Sequence, residues 1–189
     1  MRRVSFFTWI TLCGWIILSS CGNRKDEAVL FTLLDSTHTG ILFTNTVLDN
    51  EMDNSFRFRN FYNGGGVGTG DINNDGLADV IFTSNMGENK IYLNKGGMKF
   101  EDITANSGFR QDSLWNTGVV LVDINNDGWL DIYICSSGRI NDGHRRNKLY
   151  INNHNLTFTE SAAAWGLDHS GFCTQASFFD YDLDGDLDC

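Results

Sequence analysis

The sequence predicts an all-β chain, an incomplete β-propeller of four-stranded blades, on three observations. A nine-residue acidic motif occurs three times in one register. β-branched and aromatic runs flank the motif, so it joins two strands rather than two helices. The repeat that contains it is wider than the motif and recurs every ~50–60 residues, the spacing of an array of small β units.

The motif copies are Asp71-Ile72-Asn73-Asn74-Asp75-Gly76-Leu77-Ala78-Asp79, Asp123-Ile124-Asn125-Asn126-Asp127-Gly128-Trp129-Leu130-Asp131 and Asp180-Tyr181-Asp182-Leu183-Asp184-Gly185-Asp186-Leu187-Asp188. Each places oxygen side chains at positions 1, 3, 5 and 9 and glycine at position 6. That pattern suits a hard cation such as Ca²⁺, which takes six to eight oxygens at roughly 2.3–2.6 Å. Glycine permits the positive φ that folds the loop back on itself. An EF-hand needs a bidentate Glu at position 12, but Phe82 and Ile134 stand there. Acidic side chains packed this closely repel one another unless a cation neutralises them.

One unit parses as strand Gly118–Val122, the cation loop, strand Asp131–Cys135, a polar loop Ser136–Arg146, strand Lys148–Asn152, a turn at Asn153–Asn155 and strand Leu156–Glu160. Four strands make a propeller blade. The first strand is apolar on both faces and is expected to be buried; the third alternates more and is expected nearer the rim. The repeat extends beyond the loops. Asn89-Lys90-Ile91-Tyr92-Leu93-Asn94 recurs as Asn147-Lys148-Leu149-Tyr150-Ile151-Asn152, and Phe100-Glu101-Asp102-Ile103 as Phe158-Thr159-Glu160-Ser161. The expected organisation is a signal peptide over 1–20, a tether over 21–28, a lead-in over 29–62, blade 1 over 63–117, blade 2 over 118–173 and the start of blade 3 over 174–189. Within the lead-in, Val29–Leu34 and Ile41–Thr44 read as short extended segments around a turn at Thr39-Gly40. A ring needs at least about four blades, so the chain is expected to be a piece of a longer protein.

At the amino terminus, Arg2 and Arg3 precede an apolar run, Phe6 to Leu18, too short for a comfortable membrane span. It ends in Leu18-Ser19-Ser20-Cys21, which resembles a bacterial lipobox. The resemblance implies export and lipidation at Cys21, with the chain reaching the membrane through its anchor only. The formal net charge is −10. Loss of residues 1–20 removes two of the 14 basic and none of the 24 acidic side chains, leaving −12. Eleven of the acids lie in the three loops. Nucleic acid is not expected as a partner, since phosphate binding needs Lys and Arg stripes. The millimolar-range affinities of extracellular calcium modules are the relevant scale.

Beyond Cys13 and Cys21, the cysteines are Cys135, Cys173 and Cys189, with no paired spacing for zinc. Small buried residues are the expected role, and a single disulfide among them stays open. No two of His38, His144, His154 and His169 have ligand spacing, and no catalytic motif appears. His144, Arg145 and Arg146 form a basic loop that reads as solvated, with an anion site as the alternative. Trp115, Trp165, Tyr62 and Phe172 lie near strand ends, where packing aromatics and sugar-stacking aromatics both occur.

The Asn63-Gly64-Gly65-Gly66-Val67 and Gly70-to-Gly76 segments, the Asn89–Asn94 segment and their second-unit partners resemble the FG-GAP/VCBS repeats of integrin-α-type β-propellers. More narrowly, residues 29–189 resemble cartilage-acidic-protein-like VCBS proteins. By that resemblance the Ca²⁺ ligands are Asp71, Asn73, Asp75 and Asp79 with the Leu77 carbonyl; Asp123, Asn125, Asp127 and Asp131 with the Trp129 carbonyl; and Asp180, Asp182, Asp184 and Asp188 with the Asp186 carbonyl. The implied function is a non-enzymatic adhesion module at the cell surface or bacterial outer membrane, binding a glycan or protein. The alternative is the scaffold of a polysaccharide-acting enzyme whose catalytic residues lie outside this chain.

Overall fold

The computed structural model describes residues 30–109, 115–138 and 145–189. The signal peptide, Cys21, the tether and His144 fall outside them. The chain divides into two compact units, Met1–Leu34 and Asp35–Cys189. In the first, residues 30–34 form no strand and are all exposed. No helix among the described residues is long and apolar enough to cross a membrane.

The second unit is all-β, as expected. Strands β1 (Val67–Gly70), β2 (Asp79–Phe82), β3 (Lys90–Asn94) and β4 (Phe100–Asp102) form one antiparallel sheet in that order. Strands β5 (Trp115–Val122), β6 (Asp131–Ser137), β7 (Lys148–Asn152) and β8 (Phe158–Glu160) form a second. These are two propeller-type blades. Strand β5 begins three residues earlier than the sequence predicts and carries an irregularity between Asn116 and Val119. Strand β6 runs on to Ser137. Strand β8 starts only at Phe158, because Leu156 sits at φ 65°, outside the extended region.

The sheets pack face to face. Ile81 and Ile91 of the first meet Val119, Ile132, Ile134 and Tyr150 of the second in one core. The other face of the second sheet, with Tyr133, Cys135 and Leu149, packs on Cys173, Ala176 and Phe178 of the following segment. The burial order differs from expectation. Strand β6 is buried along its whole length, whereas β5 is half-buried over Val120–Val122. Strand β7 is no rim strand, since Leu149, Tyr150 and Asn152 are all buried. A second strand lies between two neighbours and under both adjoining layers, which accounts for its burial.

Successive first strands meet at glycine. A Cβ on Gly66 would stand 2.6 Å from the Thr117 carbonyl oxygen, and one on Gly118 would stand 2.5 Å from that of Thr174. Only glycine allows this backbone approach. The Thr83 hydroxyl accepts the Gly66 N–H at 2.6 Å and donates to the Thr117 carbonyl, tying the two sheets together.

The lead-in differs from expectation. Ser36–Thr39 form a single helical turn, α1, in place of the link between two strands. The Asp35 carboxylate accepts the His38 N–H at 2.9 Å, and Gly40 closes the turn at φ 75°. Residues 41–48 then alternate between half-buried and exposed without joining a ladder. They lie along the first sheet through Phe43 stacked on Phe82 at 4.7 Å and the Leu42 N–H donated to the Tyr92 hydroxyl.

Candidate metal loops

Each acidic loop closes a hairpin at the same register. Gly70 pairs with Asp79, Val122 with Asp131 and Phe179 with Asp188. The residue before position 1 is thus always opposite position 9. Inside the loop, the position-1 carboxylate gathers backbone donors. Asp71 accepts from the N–H of Asp75 at 3.1 Å and of Gly76 at 2.7 Å. Asp123 accepts from Asp127 at 3.0 Å and Gly128 at 2.8 Å. Asp180 accepts from Gly185 at 3.1 Å. Two left-handed residues make the fold-back, at positions 4 and 6: Asn74 and Gly76, Asn126 and Gly128, Leu183 and Gly185. Asparagine tolerates that conformation; Leu183 at φ 64° is the strained exception.

Position 9 is a structural anchor in the first two loops. Asp79 is fully buried and accepts the N–H of Ile72 at 3.0 Å and of Asn94 at 2.7 Å. Asp131, also fully buried, accepts from Ile124 at 3.1 Å and Asn152 at 2.7 Å. Burial raises both carboxyls above the usual range, against the pull of those N–H donors. The last Asn of each repeated Asn-Lys segment therefore ties the third strand to the loop. The Asn94 amide also donates to the Ala78 carbonyl, and the Asn152 amide to that of Leu130. Sequence reading missed these two residues as part of the site, although they recur at an offset of 58. The first Asn of the segment acts in parallel at the other end of the hairpin. Asn89 and Asn147 accept the N–H of Ser84 and Ser136 where β2 and β6 end.

The first two loops also touch. Asn74 donates to the Gly128 carbonyl at 3.0 Å, and Asn152 donates to the Ile72 carbonyl at 2.8 Å. A continuous path, Asp79–Ile72–Asn152–Asp131, links their buried carboxylates.

The loops differ in how their acids are arranged. In loops one and two the position-3 amide donates to the position-5 carboxylate, Asn73 to Asp75 at 3.0 Å and Asn125 to Asp127 at 2.8 Å. The other Asp75 and Asp127 oxygens accept the N–H of Leu77 and Trp129. His154 lies 2.9 Å from Asp127 and stacks on Trp129 at 4.8 Å, and this contact holds the Asp127 carboxyl below its usual range. In loop three an oxygen from each of Asp180, Asp182 and Asp188 lies within 4.8 Å of the other two, the sole such trio among the described residues. Oxygens sharing a Ca²⁺ at ~2.4 Å can be no farther apart than about that. One Asp180 oxygen is buried with no hydrogen-bond partner among the described residues. Asp186 is exposed, and repulsion from Asp184 raises its carboxyl. The donor set fits a hard cation: all oxygen, mostly anionic, on a loop folded by glycine.

Arg145 lies over the Phe172 ring at 4.2 Å, and Arg146 pairs with Asp168. Cys135, Cys173 and Cys189 are free thiols, the first fully buried. Trp115 packs against Phe58 and Phe61.

Residues 71–134 match the family model of the FG-GAP-like repeat. The chain is 36% identical over 87 residues to cartilage acidic protein 1 of Xenopus tropicalis. That alignment takes in 46% of this chain and 13% of the longer protein.

Proposed function

We propose that this FG-GAP repeat protein is a calcium-loaded propeller module of an exported, lipid-anchored surface protein, and that it binds a glycan or protein without catalysing a reaction. The observation that carries the reading is the repetition of one loop geometry at one hairpin position in three successive units. A turn-rich acidic surface has no reason to keep the carboxylates of positions 1, 5 and 9 on the same backbone donors three times. A cation held by each loop would fasten the first two strands of its unit and cancel the repulsion of clustered carboxylates. Asp71, Asn73, Asp75 and Asp79 would hold the first ion, with Asp123, Asn125, Asp127 and Asp131 as their counterparts. Asp180, Asp182, Asp184 and Asp188 would hold the third. The carbonyls of Leu77, Trp129 and Asp186 would complete the sets. Export and anchoring rest on the Leu18-Ser19-Ser20-Cys21 segment after a short apolar run.

Thermal unfolding with Ca²⁺ and with EGTA tests the metal. The melting temperature rises with Ca²⁺, and EGTA reverses the gain, because a ligand that binds the folded state stabilises it by mass action. Superimposable melting curves would end the metal reading. Mass spectrometry of the membrane fraction tests the anchor: acylation at Cys21 is expected, and a soluble, unmodified mature chain would contradict it.

A further inference from the structure

We propose that a cavity at the end of the module opposite the metal loops is its ligand site, and that it takes an uncharged sugar ring. The inference rests on the binding-module reading above and gives it a place and a ligand class.

The cavity encloses about 270 Å³. It lies near the starts of the first strands of the two blades and the segment that follows the second, between Gly64–Gly66, Trp115–Gly118 and Thr174–Gln175. The metal loops follow the far ends of those strands, so the two features are at opposite ends of the sheets. The volume is near the lower end of small-molecule pockets, about right for one ring with its hydroxyls and too small for a folded peptide segment.

Its chemistry is selective. Among the described residues, no Asp, Glu, Lys, Arg or His lines it, in a chain with a fifth of its residues charged. A charged ligand would lose its hydration there with no countercharge to replace it. The polar groups present are neutral amides and hydroxyls. The side chains of Asn60, Asn63, Gln175 and Ser137 line the cavity and make no hydrogen bond among the described residues. Ser137 is the most buried of the four, at 5% exposed, and its hydroxyl has no hydrogen-bond partner among the described residues. Thr117, by contrast, is committed, 2.7 Å from the Cys173 carbonyl and 3.1 Å from that of Cys135.

The aromatic wall is rigid. Phe58 meets Trp115 edge-on at 5.3 Å and Phe61 packs on it at 5.2 Å, so the indole is held in place while remaining half-exposed. Rigid aromatic surface beside neutral donors and acceptors matches the two faces of a sugar, C–H on one side and O–H around the edge. Among the described residues the lining also lacks the pair of carboxylates that glycoside hydrolysis uses, in keeping with a site that retains a sugar rather than cleaving it.

Titration calorimetry of the full chain in Ca²⁺ tests this. The probes are methyl glycosides of neutral hexoses, N-acetylhexosamines and 6-deoxyhexoses, each set against a uronic or sulfated counterpart. At least one neutral glycoside is expected to bind, and its acidic counterpart to bind about tenfold more weakly or not at all. Asn63→Ala with Gln175→Ala changes two exposed side chains and should weaken binding about tenfold or more with the melting curve unmoved. Ser137→Ala should weaken it independently. Binding that ignores all three substitutions would overturn the proposed site while leaving a glycan-binding module intact. Equal binding of acidic probes would overturn the ligand class. Failure of every probe would overturn the site and the glycan reading together, and the Ca²⁺ shift of the melting temperature, read on the same samples, judges the metal separately.

Discussion

Loops two and three share nine positions and one hairpin register, yet they treat their acids in opposite ways. Loop two has Asn125 at position 3, and its amide donates into Asp127. Loop three has Asp182 there, which has nothing to donate, and its carboxylates converge. Loop two also has a third strand beside it, whose Asn152 N–H and amide hold Asp131 and Leu130. Among the described residues the Asp188 carboxylate accepts only the Tyr181 N–H, at 2.8 Å. The motif therefore contains two separable parts. Position 9 holds the hairpin through its N–H donors; on the calcium reading proposed above, positions 1, 3 and 5 would set how strongly the loop calls for an ion.

The largest effect expected from this contrast is at position 9. Asp131→Ala strands the half-buried N–H of Ile124 and the buried N–H of Asn152, and at ~1–3 kcal/mol for each unsatisfied donor it should cost about 2–4 kcal/mol by urea unfolding in EGTA. Asp188→Ala, at a half-exposed residue with one such bond, should cost under ~1 kcal/mol. Equal losses would erase the distinction between the loops. Next is Asn152→Ala, which removes the amide bridging the Leu130 and Ile72 carbonyls. It should cost about 1–3 kcal/mol and loosen the path between the first two loops, so that Asp75→Ala no longer affects Ca²⁺ binding at loop two. Smaller still is Asn125→Asp, which makes loop two resemble loop three. It should lower stability in EGTA by ~1 kcal/mol through like-charge repulsion and enlarge the gain on adding Ca²⁺.

Much of this contrast is legible in the sequence. The acidic hairpin loops, the flanking strands and the four-strand unit follow from position-by-position spacing, because a glycine-folded acidic turn and a two-sided strand leave strong local patterns. The roles of Asn94 and Asn152 are not legible, since a side chain that crosses from a third strand to a first-hairpin loop leaves a mark only in the fold. The burial order fails for a related reason: β6 is covered by layers from both sides, and alternation within β7 says nothing about what lies above it. In the lead-in, Asp35 and Gly40 cap a turn too short to show periodicity. The 41–48 segment alternates like a strand but docks through Phe43 and Asn45 instead of pairing.

A still smaller effect concerns pH at the far side of the second sheet. Burial pushes the Tyr133 hydroxyl and the Cys135 thiol each up to about 12. The unfolded chain loses these protons earlier, near ~10 and ~8.5. Their contribution is therefore intact below about pH 8 and is lost as pH climbs toward the folded values. The urea midpoint should decline across that alkaline window, and Tyr133→Phe should flatten the decline. A midpoint constant through the window would contradict the burial argument.

The most direct test of the central claim is calorimetric titration of the metal-stripped chain with Ca²⁺, beside single variants Asp71→Ala, Asp123→Ala and Asp180→Ala. Saturable binding to three sites is expected, each variant removing one, with the tightest site lost in Asp180→Ala because that loop has the most anionic ligands. Absence of binding at the millimolar Ca²⁺ concentrations that saturate weak extracellular modules, or binding unchanged in all three variants, would contradict it.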